Sequence, residues 1–190
     1  MIGGTSSAYF VPHSLTFLSV RYMILSYRGE IEVIKKFVLW TLVILWAATI
    51  FSFSAQPATQ SNKSSTGFTK KIVRILDVTD SLSEQEINKI AGNLNHFVRK
   101  GAHFCAYALL SVLVYILLKE YGFRTIHATI FAVSLSGLYA CTDEFHQTFI
   151  EGRAGQIRDV GIDTLGAFFG VSVFYLCSYV IKKIRARNKV

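Results

Sequence analysis

The chain has 190 residues, of which 52% are hydrophobic and 17% charged, and its mean hydropathy is +0.40. That is too few charges and too many apolar side chains for an ordinary soluble surface, so an all-α integral membrane protein is expected. The formal net charge of +8 does not indicate nucleic acid as a partner. The basic residues gather beside apolar segments, as for contact with anionic membrane lipids, and no basic stripe is interleaved with exposed aromatics.

Residues 1–35 fit no clear element. The stretch from Tyr9 to Tyr27 is broken by Pro12, His13 and Arg21, and it lacks the basic start and small-residue cleavage site of a signal peptide. A partly disordered cytoplasmic leader is expected, with Met23 as an alternative translation start.

Four apolar segments follow, at Phe37 to Ser54, about Ala102 to Leu118, about Ile126 to Cys141 and about Val160 to Ile181. Crossing a bilayer takes about 20 residues. Two segments are short, but flanking polar side chains can snorkel to the interface. The expectation is a four-transmembrane-helix bundle over residues 36–181, in the cell membrane, followed by a basic cytoplasmic tail at 182–190. Arg28, Lys35 and Lys36 precede the first span, while Lys182, Lys183, Arg185, Arg187 and Lys189 follow the last. The positive-inside rule then puts both termini in the cytoplasm, with the short turn from Lys119 to Arg124 on the same side.

Between the first two spans, residues 55–101 form an outer loop. Gln56 to Gly67 has the composition of a turn-rich connector. Phe68, Ile72, Ile75 and Leu76 then recur at helical spacing, with Lys70, Lys71 and Arg74 elsewhere, as in a short amphipathic helix on the headgroup surface. Ser83 and Glu86 form a capping box before a second apolar face from Ile87 to Val98. This second helix is expected to lie along the interface and deliver Arg99, Lys100 and His103 to the second span.

Cys105, Cys141 and Cys177 are odd in number, sit one to a span and form no Cys-x-x-Cys, which argues against disulfide or zinc chemistry. The polar residues are more telling. The outer ends of the spans carry Ser52, Ser54 and Gln56 on the first and Arg99, Lys100 and His103 on the second. The third carries Asp143, Glu144, His146 and Gln147, and the fourth Arg153, Arg158, Asp159 and Asp163. Polar and ionisable groups at a membrane's edge are costly, and four such clusters at one level point to a single outward-facing polar pocket. On a continuous helix Asp143, His146 and Gln147 share a face while Glu144 turns about 100 degrees away. Asp159 and Asp163 lie one turn apart. Asp159 suits the positive end of a helix dipole, and Asp163, deeper, needs a partner such as Arg99, Arg153 or His103. Gly166 and Gly170 suggest close helix packing.

These residues resemble the VanZ family over roughly residues 36 to 181. The resemblance rests on Phe53-Ser54-Ala55-Gln56, on Arg99-Lys100-Gly101-Ala102-His103-Phe104-Cys105-Ala106-Tyr107, on Asp143-Glu144-Phe145-His146-Gln147-Thr148-Phe149, and on Gly152-Arg153 with Asp159 to Gly166. The family usually has Pro before the Gly-Arg pair, where this chain has Glu151. The resemblance implies an envelope role: the founding member is associated with resistance to the glycopeptide antibiotic teicoplanin, and relatives occur widely in Gram-positive bacteria. It leaves any cofactor unknown. In an enzymatic reading, Asp143, Glu144 and His146 are the acid and base. Ser54, Gln56, Arg99, His103, Tyr107, Gln147, Arg153, Asp159 and Asp163 are expected to bind a lipid-linked wall precursor or a glycopeptide antibiotic. A metal held by His103, His146 and carboxylates is disfavoured, since Glu144 and His146 cannot both face one ion from a regular helix. The alternatives are a non-catalytic binder or a purely structural polar network.

Overall fold

The computed structural model describes residues 13–77 and 82–188, with side chains from residue 27 onward within those ranges. The start of the expected leader and Lys189 of the basic tail lie outside the described residues. All regular structure among the described residues is α-helical, in five helices: α1 (His13–Ser54), α2 (Ala58–Leu76), α3 (Glu84–Glu120), α4 (Thr125–Gln147) and α5 (Ile157–Arg187). Four of them, α1 from Tyr27 onward and α3, α4 and α5, are long and apolar enough to span a bilayer. The expected four-span membrane architecture is therefore present.

The chain divides into two compact units, residues 1–38 and 39–190. In the first, the described part is helix, where the sequence suggested no element. Residues 13–54 contain no proline and a single glycine, so nothing in them breaks a helix once Pro12 is passed. Arg28 and Glu32 form an exposed i,i+4 ion pair within it.

The second unit holds the bundle. Helix α2 starts at Ala58 rather than at Phe68, so the expected connector is largely helical. Pro57 stands immediately before the first turn, where its missing N–H costs nothing. Ser65 Oγ and Thr69 Oγ1 donate back to the carbonyls of Ser61 and Ser65, both at 2.8 Å, which absorbs hydroxyls that otherwise favour turns.

The Ser83/Glu86 capping box opens α3 as expected, with Ser83 N–H donating to Glu86 Oε2 at 2.9 Å. The helix then continues unbroken for 37 residues, about 55 Å. The predicted interfacial helix and second span are thus one rod, because neither Gly92 nor Gly101 alone interrupts a helix so rich in good formers. Helix α2 packs on its first half through buried Thr69 and Val73 against Ile87 and Ala91.

Close backbone approach joins α3 to α5, α4 to α5, α3 to α4 and α2 to α3. Small residues permit it. A Cβ on Gly166 would run into the carbonyl of Phe104, and one on Gly170 into that of Ala108. Ser111 Oγ reaches back to donate to Ala167 O at 2.7 Å. The contacts of Phe104 with Gly166 and of Ala108 with Gly170 advance together along both helices, so α3 and α5 run parallel. Helix α4 presents Ala128, Ala132, Ser136 and Ala140, all essentially buried, as one narrow stripe.

Helix α1 is attached differently. Its stripe Trp40, Val43, Ala47, Ile50 and Ser54 repeats every three and four residues. It meets the bundle through long side chains: Trp40 Nε1 donates to Tyr121 Oη at 3.1 Å, Trp46 Nε1 to Ala106 O at 2.9 Å, and Tyr139 Oη to Ala47 O at 2.7 Å. These reaches hold α1 a side chain's length from α3.

The Gly170 contact is with backbone that cannot swing aside. Gly170→Val should therefore destabilise the protein by about 1–3 kcal/mol, read as a lower melting temperature in detergent micelles. Gly161→Ala, whose Cβ meets nothing, should melt no lower than the parent. Equal melting of the Gly170 variant and the parent would show that this helix contact is looser than described.

Candidate functional site

The polar ends of α3, α4 and α5 and the first residue of α2 converge with the turn 148–156 on a cavity of about 230 Å³. Arg99, Lys100 and His103 come from α3, Glu144 and Gln147 from α4, Arg153 and Gln156 from the turn, and Asp159 and Asp163 from α5. The parallel register of α3 and α5 sets two ion pairs one turn apart. Lys100 Nζ meets Asp159 Oδ1, and His103 Nδ1 stands 3.8 Å from Asp163 Oδ2. His103 is thus the group that faces Asp163, whose Oδ2 is buried beyond hydrogen-bond reach of it, and Lys100 is half-buried against Asp159.

On α4 the buried face takes in Asp143, Glu144 and Gln147 together. Gln147 Nε2 donates to Glu144 Oε1 at 3.0 Å and, more weakly, to Asp143 Oδ2 at 3.4 Å. Glu144 Oε2 accepts the backbone N–H of Gln156 at 3.0 Å. The expectation that Glu144 turns away, with His146 on the shared face, is therefore reversed. Asp143 and Gln147 alone leave the face free to widen either way, and the turn decides. At Gly155 the chain lies so close that a Cβ would strike the Glu144 carbonyl, and this draws residue 144 inward. His146 instead stacks on Phe51 of α1, ring centroids 4.5 Å apart, and lines no part of the cavity.

Asp143 is buried behind the cavity rather than in its wall. Ser54 Oγ, at the end of α1, donates to its Oδ2 at 2.8 Å, so Ser54 positions Asp143 and has no surface of its own. Tyr107 is also wholly buried outside the lining. Gln56 lies in a separate apolar groove.

The turn is shaped by Gly152, whose φ of 72° is a left-handed conformation that suits glycine. It brings the Glu151 carbonyl to the Ala58 N–H at 3.1 Å, a bond that proline at 151 could also accept. Arg153 follows. Its Nη1 donates to Gln147 Oε1 at 3.2 Å and its Nη2 to Phe53 O at 3.1 Å, while Nε is buried with no partner. Burial and the nearby Arg99 charge push this guanidinium down from its ordinary value. Arg99 donates from Nη1 to Asn62 Oδ1 at 3.0 Å. Among the described residues neither arginine has a carboxylate within ion-pair reach, so two guanidiniums face the cavity with neutral partners. Chemically, such a site can take an anion in a bidentate grip.

Residues 38–178 match the family model VanZ/LLP1. The chain belongs to the VanZ/LLP1 family. Comparison with curated proteins and with solved structures finds no match.

Two site features had no local sequence signal: the Lys100–Asp159 pair, whose members are 59 residues apart, and the Gln156 N–H on Glu144. A double-mutant cycle on Ser54→Ala and Asp143→Asn in this VanZ-family protein should give a coupling of about 1–2 kcal/mol in unfolding free energy. Additive effects would show that the two side chains act separately.

Proposed function

We propose that this VanZ-family membrane protein turns the cavity to the outer face of the cell membrane. There it binds the anionic head of an envelope or lipid-associated molecule, of the class of a lipid-linked wall precursor or a teicoplanin-type glycopeptide, and so lowers susceptibility to such drugs. The observation that carries the reading is the Arg99–Arg153 pair, two guanidiniums without a carboxylate partner and with Arg153 Nε an unused buried donor. Lys100 and His103 are already matched by Asp159 and Asp163. The orientation is supported by charge: Lys119 and Arg124 lie at the opposite end of the bundle from the cavity, as do Lys182, Lys183, Arg185 and Arg187, and basic ends stay cytoplasmic.

A second, catalytic reading is favoured by one geometry. His103 turns Nδ1 toward buried Asp163, which leaves Nε2 for a ligand in the manner of a general acid–base imidazole oriented by a carboxylate. In that reading Glu144 is the other proton carrier at the cavity wall, while Asp143 and His146 are positioning groups.

Glycerol 3-phosphate binding to protein in phosphatidylcholine nanodiscs tests the anion site. Arg99→Gln and Arg153→Gln should each weaken it about tenfold or more, the loss expected of a charge-assisted hydrogen bond. His146→Ala should leave it unchanged. Absence of binding by the parent, or equal binding by all variants, would refute the reading.

A further inference from the structure

Beside the polar cavity lies a larger groove of about 600 Å³, walled by Trp46, Ile50 and Phe53 of α1, Phe68 of α2, and Ala102 and Leu109 of α3. It exists because α1 meets α3 through side chains such as Trp46 and Ile50 rather than through close backbone approach. Its lining is overwhelmingly apolar, and Thr49 within it spends its hydroxyl on the Leu45 carbonyl. The two compartments meet at Arg99, His103 and Arg153, which line both.

We propose that this groove holds the hydrocarbon chain of the same amphiphile whose anionic head sits in the cavity, so that the ligand enters sideways from one leaflet. The inference rests on the anion-binding reading above and adds the chain to it. Charge and polarity change at the right place: the guanidiniums stand at the junction, where a phosphate or carboxylate head would pass into a hydrocarbon tail. The dimensions agree as well. From Val98 to Leu109 the groove follows α3 for about 16 Å, close to half of the roughly 30 Å hydrocarbon core. A groove of one leaflet's depth, polar at its outer end and apolar below, is shaped for a lipid chain and has no use for a free anion. The amphipathic α2 supplies its outer wall, with Phe68 inward and the hydroxyls of Ser61, Ser64 and Ser65 at the rim.

The test uses full-length protein in phosphatidylcholine nanodiscs and a phosphatidic acid carrying a diazirine in its acyl chain, with crosslinked residues mapped by mass spectrometry. Labelling should concentrate on residues 46–53 and 98–109, and a diazirine phosphatidylcholine should label them far less. Thr49→Trp, at a half-buried position, and Ala102→Trp, at an exposed one, fill the groove; each should reduce the labelling about tenfold, the value of losing as few as two buried methylenes. Glycerol 3-phosphate binding by these variants should stay at the parent level, which also shows that they fold. Even labelling over all lipid-facing helices, equal labelling by both lipids, or full labelling of the tryptophan variants would overturn the chain site. If in those cases glycerol 3-phosphate still bound through Arg153, the anion site would stand alone. If neither probe bound the parent protein, both inferences would fall together.

Discussion

Carboxylates buried at the end of an apolar helix bundle must be given donors, and nearly every contact around the cavity follows from that demand. An uncompensated charge at such a place costs several kcal/mol. Ser54 and Gln147 serve Asp143, Gln147 and the Gln156 N–H serve Glu144, Lys100 serves Asp159, and His103 faces Asp163. Each donor comes from a different helix or turn than most of its neighbours, so meeting the demand fixes the register of α1, α3, α4 and α5 at one level. The small-residue contacts of Gly166 and Gly170 carry the same register deeper along α3 and α5.

Arg153 holds a special place in this arrangement. It ties the turn to Gln147 on α4 and to the Phe53 carbonyl where α1 ends, and so closes the cavity on the side of the groove. Yet it is held only by neutral acceptors, with Nε unused. Carboxylates are close by, but none lies within ion-pair reach of Arg153, and Asp143 Oδ1 and Asp163 Oδ2 are themselves buried without a hydrogen-bond donor. Asp159 and Asp163 face cationic side chains and Asp143 and Glu144 take neutral donors, while Arg153 keeps an unused donor that an anion could engage.

Much of this was legible in the sequence, for reasons that differ by element. The four spans follow from hydropathy and the start of α3 from its capping box, since both signals are local. That Asp143, Gln147, Arg99, His103, Arg153, Asp159 and Asp163 gather at one end follows from counting residues along spans of similar length. Helical geometry could not say whether Glu144 or His146 joins them, because that depends on how closely the turn at Gly155 approaches α4. The helicity of residues 58–67 and the union of the surface helix with the second span were hidden for a similar reason. Serine and threonine read as turn formers until their hydroxyls are seen bonding back to i−4 carbonyls, and helix continuity has no signal beyond the absence of a breaker. The pairing of Lys100 with Asp159 and the groove beside α1 are tertiary facts, set by which helices touch through backbone and which through side chains.

The stand-off of α1 and the two arginines without carboxylate partners are the observations behind our proposal that the protein binds an amphiphile at the boundary between water and one leaflet. Native mass spectrometry of the protein extracted gently from its own membrane tests this most directly. The account predicts an adduct that releases a phosphate- or carboxylate-bearing, chain-containing molecule, abundant on the parent and largely lost from Arg153→Gln. A parent protein carrying only the zwitterionic and anionic lipids of the bulk membrane, in the same proportions as the Arg153 variant, would contradict it.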